Sequence, residues 1–73
     1  MSDVNVEAGI TVVVWKIEKE TGKKVVEGDV LLILESMKMK IPLIAPLDGI
    51  IKEIKVEAKD AVEEGETMVI LSV

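Results

Sequence analysis

The sequence predicts an all-β fold, a small sandwich or flattened barrel made of two similar halves. Three observations lead there. Short runs rich in Val, Ile and Leu alternate with segments of glycine and charged residues, the pattern of strands and turns. Two of these runs meet near mid-chain at a short polar step, Glu35-Ser36-Met37-Lys38-Met39-Lys40, which reads as a β-hairpin. The chain also repeats itself. Gly28 and Gly65 lie 37 positions apart (65 − 28), and at that offset Ile17 matches Ile54, Glu20 matches Glu57 and Val25 matches Val62. Glu27 likewise matches Glu64, Ile33 matches Ile70 and Leu34 matches Leu71. Each copy reads strand, charged turn, Glu-Gly-acid turn, strand. Two such units each expose an apolar face, and packing the faces together buries both.

The elements follow in order. Residues 1–9 carry weak patterning and read as a loosely ordered start. Thr11–Ile17 is rich in β-branched residues and reads as a strand. Trp15, the only aromatic residue, sits inside it. An indole there could stack on a ligand; its strand neighbours Val12, Val13, Val14 and Ile17 favour a role capping one end of an aliphatic core. Residues 19–24 are charged, with Gly22 as a turn. Residues 25–29 bring the chain back, and Gly28 supplies the positive φ that other residues resist. Val30–Glu35 is apolar on both faces, which predicts a central strand, with Lys38–Ile44 as its partner. Residues 45–49 form a loop in which Asp48-Gly49 is the strongest turn dipeptide of the chain. Ile50–Val56 places Ile50, Ile54 and Val56 on one face, against Glu53 and Lys55 on the other. Residues 58–66 are acidic and turn-rich, and Met68–Leu71 is the closing strand. All of residues 1–73 form one small domain.

Composition excludes several function classes. A chain of 73 residues buries only about 60% of its unfolded surface and cannot enclose a deep cleft as well as a core. Cysteine is absent, so disulfides and thiolate metal sites are ruled out. Histidine is absent too, which removes the usual general base, the usual metal ligand and every Ser/His or Cys/His pair. No spacing typical of a carboxylate metal loop is visible. Nine basic residues against fourteen acidic ones give a net charge of −5, which argues against nucleic acid and suits solubility or a transient partner surface. No apolar run approaches the ~20 residues that span a bilayer. The start, Met1-Ser2-Asp3-Val4-Asn5, lacks the basic and apolar regions of a signal peptide, so the expected compartment is the cytoplasm. A domain within a longer polypeptide would read the same way.

What remains is the central step. Alternation such as Met37-Lys38-Met39 occurs in any half-buried strand. Here, however, it lies between two strands, follows Glu35-Ser36, precedes Pro42 by three residues and joins the two similar halves. Lys38 is the one side chain there that could do chemistry at a protruding tip. Its two neighbours are methionines, a residue normally used for core packing. With Val30-Leu31-Leu32-Ile33-Leu34 before it, and Ile41-Pro42 and Ala45-Pro46-Leu47-Asp48-Gly49 after it, this stretch resembles the biotin attachment, or biotin carboxyl carrier, domain of biotin-dependent carboxylases. The resemblance runs from about Trp15 to the end. The related lipoyl domains share the fold but usually have Asp-Lys-Ala around their lysine.

The resemblance implies a biotinyl/lipoyl barrel-sandwich with a quasi-twofold axis, the lysine hairpin at one end and the termini at the other. The stretch between Gly28 and Lys38 leaves no room for the "thumb" insertion of some carriers. Four positions depart from the usual pattern: Val12 and Lys59 where glycine is common, Lys23 where aspartate is common, and Lys40 where glutamate is frequent. The implied function is that of a biotin carrier without catalysis of its own. Fewer than about one in a thousand free lysine amines are deprotonated at neutral pH, so activation must come from outside. By resemblance, biotin protein ligase supplies a biotinyl-adenylate that Lys38 attacks to form an amide. The carrier then shuttles carboxybiotin from a biotin carboxylase to a carboxyltransferase, whose acceptor is an acyl-CoA or pyruvate. Met37 and Met39, with Glu35 and Ser36 beside them, are candidates for ligase recognition; the methionines could equally close the end of the barrel. No metal, nucleic acid or membrane partner is expected, and the isolated domain is expected to be a monomer. The alternatives are a lipoyl carrier, or an unmodified interaction barrel whose Lys38 stays free.

Overall fold

The computed structural model describes residues 2–73. Eight strands follow one another: β1 (Asp3–Glu7), β2 (Val12–Ile17), β3 (Lys24–Val25), β4 (Val30–Ser36), β5 (Met39–Ile44), β6 (Gly49–Ile54), β7 (Ala61–Val62) and β8 (Thr67–Ser72). They form two four-stranded antiparallel sheets, in the orders β1-β8-β6-β3 and β5-β4-β2-β7. Shifting residue numbers by 37 exchanges β1 with β5, β8 with β4, β6 with β2 and β3 with β7, which converts one order into the other. The quasi-twofold symmetry expected from the resemblance is therefore present in the topology.

The halves do more than pack face to face. The short strand β3 of the first half pairs with β6 of the second, and β7 of the second pairs with β2 of the first. Each half thus completes the other's sheet with backbone hydrogen bonds. The bulges match as well: the β2–β4 register shifts between Val14 and Lys16, and the β6–β8 register between Ile51 and Glu53. Gly28 and Gly65 take φ of 92° and 89°, as their turn positions predict. The Gly28 N–H donates to the Ala45 carbonyl (2.9 Å) and the Ala45 N–H to the Asp29 carbonyl (2.8 Å). Gly65, Ala8 and Glu66 repeat that arrangement at 2.9 and 3.0 Å. Between the sheets lies an aliphatic core in which Val14, Leu32, Met68, Val69 and Leu71 have no exposed surface.

Several expectations need correction. Asp3–Glu7 is not a loose start but an edge strand paired with β8 along its whole length, with Val6 in the core; Met1 lies outside the described residues. Its partner β8 would otherwise be an uncovered edge, which is the tertiary reason that this weakly patterned segment orders. Trp15 does not cap the core. Val12 and Val14 take the inward positions of β2, so alternation sends Trp15 outward, where it is 51% exposed. Ile54 of β6 and Val56 just after it face the core as expected, but before the bulge the alternation is reversed: Ile51 is in the core and Ile50 is exposed. Residues 24–25 and 61–62, read as turns, each hold a two-residue strand.

Lys59 occupies the place that Gly22 holds in the other half, and it is forced into the same conformation: φ is 76° against 89°. Its N–H donates to the Val14 carbonyl as that of Gly22 donates to Ile51. A side chain in the left-handed region costs about 1–2 kcal/mol. Lys59→Gly should therefore stabilise the fold by about 1 kcal/mol, raising the melting temperature by roughly 4–8 °C. Gly28→Val should do the opposite, at a cost of about 1–3 kcal/mol, because its φ is positive although the space around it is open. Thermal unfolding of the two variants beside the parent chain checks both signs, and equal melting temperatures would refute the assignment of strain.

Candidate functional site: the hairpin tip at Lys38

β4 and β5 pair Glu35 with Lys40 and Ser36 with Met39, leaving two residues, Met37 and Lys38, to make the turn. Lys38 therefore belongs to the turn and not to β5, which begins at Met39. Both turn residues have positive φ, 51° and 66°, as a two-residue type I′ hairpin requires. Asn-Gly is the usual choice for such a turn. Met-Lys fits it poorly, and each residue bears the cost of the left-handed region. The strands impose the turn: β4 is a central strand of its sheet, and β5 is pinned at its far end by the Ala45 hydrogen bonds.

The tip stands at the end of the molecule opposite the chain termini. Ser2 and Val73 exchange backbone hydrogen bonds at 3.2 and 2.9 Å, and β1 leads away from them. After Glu7 the chain passes into β2, where Val13 lies opposite Glu35, one residue before the paired base of the turn. The body is elongated, 36 × 19 × 17 Å, so the tip projects along its long axis.

The structure separates the residues singled out in the sequence. Lys38 is exposed and, among the described residues, takes part in no ion pair or side-chain hydrogen bond. Met37 and Met39 flank it with 91% and 64% of their surface exposed, which excludes their closing the barrel end. Ser36 and Glu35 are half-buried at the end of β4. Lys40, the nearest competitor, is held against the wall. Its Nζ donates to Glu35 Oε2 at 3.3 Å and lies 4.8 Å from the centre of the Trp15 ring. Sequence reasoning missed this clamp because Trp15 comes from β2, far along the chain.

A ligand held without a covalent bond needs a concave site. The tip is convex, and the hollow lined by Val25, Val26, Gly49, Ile50 and Val73 lies beside the C-terminus. An unpaired primary amine on a projecting turn is instead open to acylation from outside.

Residues 3–71 match the biotin-requiring enzyme family of biotin and lipoyl attachment domains. The chain belongs to this family. It is 43% identical over 58 residues to the biotin/lipoyl attachment protein of Bacillus subtilis (strain 168), covering 80% of each chain. It is 35% identical over 68 residues to the biotinylated protein TB7.3 homolog of Mycobacterium leprae (strain TN), covering 93% of this chain and 96% of that one. Among solved structures, the Kluyveromyces lactis urea carboxylase superposes with a TM-score of 0.91 at 25% identity, over 99% of this chain and 6% of that one. The flattened barrel-sandwich is thus the fold of the biotin/lipoyl attachment domains. In this member of the family the hairpin at Lys38 is a strained I′ turn. Lys38→Gly should relieve about 1 kcal/mol of that strain while deleting the amine. Denaturant melts of the variant should show the gain, and an unchanged midpoint would mean that the turn exerts no such strain.

Proposed function

We propose that the chain is a biotin carrier and that Lys38 is its attachment site. The observation that supports this most directly is the free, projecting amine of Lys38 on a strained turn, in a chain of the biotin/lipoyl attachment family. Biotin protein ligase would deliver biotin as its adenylate. The lysine nitrogen then attacks the acyl carbon, AMP leaves with the bonding pair, and the nitrogen loses a proton to give a neutral amide. The net charge becomes one unit more negative. Bound biotin supplies a ureido nitrogen that accepts and donates carboxyl, and the protein contributes tether, orientation and a rigid body. Biotin carboxylase and carboxyltransferase are the partners between which the group would move, and the tether raises its local concentration at both. Relatives in which the matching domain is part of a larger enzyme support that role: a biotin-dependent acyl-coenzyme A carboxylase alpha3 subunit of Mycobacterium leprae and a pyruvate carboxylase of Bacillus subtilis. The domain itself has no catalytic role in this reading, and it works as a monomer in the cytoplasm. Met37 and Met39, fully available at the tip, together with Glu35 and Ser36, form the surface the ligase would read.

Co-expression with a biotin ligase tests the assignment. Wild type should gain the mass of one biotinyl group and blot with streptavidin, and Lys38→Arg should do neither. Lys40→Ala should be labelled nearly as fast as wild type, because Lys40 is clamped on the wall some ~7 Å behind the tip. Peptide mapping that places substantial biotin on Lys40, or equal labelling of Lys38→Arg and wild type, would refute the site. Addition of a lipoyl mass in place of biotin by the cell's own ligases would favour the lipoyl reading.

A further inference from the structure

The quasi-twofold symmetry holds for the backbone and the core but fails on one outer surface. On the sheet β5-β4-β2-β7, the outward positions are Val13, Trp15 and Lys16 of β2, Ile33 and Glu35 of β4, and Lys40, Pro42 and Ile44 of β5. At the matched positions the other sheet carries Lys52 in place of Trp15, Asn5 in place of Pro42 and Glu7 in place of Ile44. The contrast extends to the contacts. Lys52 and Asp3 form an ion pair at 2.7 Å where Trp15 and Lys40 form a cation–π contact. The Asp3 hydrogen bond raises the pKa of Lys52, and both groups stay exposed. The fold therefore accepts polar side chains at the places of Trp15, Pro42 and Ile44. On the lysine side it leaves Trp15 and Ile44 half-exposed, whereas Val13, at 40%, has an apolar counterpart in Ile50, at 45%.

We infer that this apolar strip is a resting place for the group tethered to Lys38: the biotinyl arm folds back from the tip and lays its bicyclic ring against Trp15. The inference rests on Lys38 being the biotin site. Reach is sufficient. The Lys40 side chain, five bonds long, already bridges from β5 across β4 to the indole. Lys38 begins two residues farther out, about 7 Å. Its biotinylated arm has about ten bonds, roughly 12 Å when extended, twice the length of the Lys40 arm. The polar border also fits. A ureido group offers one carbonyl acceptor and two N–H donors. The strip is bordered by one donor, the Lys40 ammonium, and one acceptor, the Glu35 carboxylate, 3.3 Å apart. The ring and its aliphatic arm meet Trp15, Ile33 and Pro42, removing apolar surface from water on both sides. A carrier that parks its group in this way holds it near the body between partners, and either partner must compete with Trp15 to extend it.

Trp15 is the chain's only fluorophore of its kind, so the test is direct. Domain biotinylated by a ligase, with one added biotin at Lys38 verified by mass, is compared with the unmodified domain. Expected are a shift of the indole emission to shorter wavelength, weaker quenching by acrylamide and a displaced indole N–H resonance. Isotope-labelled biotin should show ring resonances displaced from those of free biotinyl-lysine. Trp15→Lys, the residue type the fold already accepts at position 52, should bring them back. Coincident spectra for modified and unmodified protein, with labelled biotin resonating as free biotinyl-lysine, would overturn the inference while leaving Lys38 as the site. That is also the outcome expected if a partner protein covers the strip instead. Absence of any added biotin would remove the carrier reading and this inference together.

Discussion

The paired backbone hydrogen bonds between the glycine turns and the two buried alanines hold the molecule together. Gly28 and Asp29 clasp Ala45, and Gly65 and Glu66 clasp Ala8. Ala45 and Ala8 are almost fully buried, so their peptide groups need partners within the protein. The glycines provide them only because they can adopt positive φ. Each clasp fixes where an outer strand ends against the start of a central one. For β5 this anchors its far end against β4, and beyond one register shift between Val30 and Leu32 the pairing leaves two residues for the turn. Lys38 reaches the tip through the pairing of β4 with β5 that starts from this clasp.

The two halves stabilise each other through exchanged short strands. β3 and β7 each contribute only two residues, too few to persist alone. Each is placed by the sheet of the opposite half, so neither half is a complete unit. An aliphatic core enclosed by such an interlock gives a rigid body in a chain of 73 residues that has no cysteine for a disulfide. Rigidity suits a tethered group. In the proposed carrier the arm alone would supply the motion, while the body keeps the amine projecting. The unfavourable turn residues at the tip fit the proposed role, since local strain persists where the surrounding structure holds it.

Symmetry makes a useful internal control. Positions that both halves share, such as the glycine turns and the bulges, answer to the fold. Positions where the halves differ are freer to answer to function. Lys59 and Lys38 are both strained, yet only Lys38 stands at an end with no counterpart in the other half, because the matching place is occupied by the chain termini. The apolar strip around Trp15 stands out by the same comparison with Lys52.

Much of this was legible in the sequence. The 37-residue repeat, the glycine turns, the central strand β4 and the hairpin at Lys38 all depend on local patterning, which composition and spacing record directly. The sequence alone also determined that no cysteine or histidine chemistry is available. Other features were decided only in three dimensions. β1 orders because β8 offers it an edge, though its own residues barely distinguish it from a loop. The faces of β6 depend on a bulge, where one extra residue reverses the alternation that sequence reading assumes. Trp15 turned outward because Val12 and Val14 took the core, and its partner Lys40 arrived from another strand. Local propensity can say that a strand forms, but only packing against the rest of the chain decides which of its faces is buried.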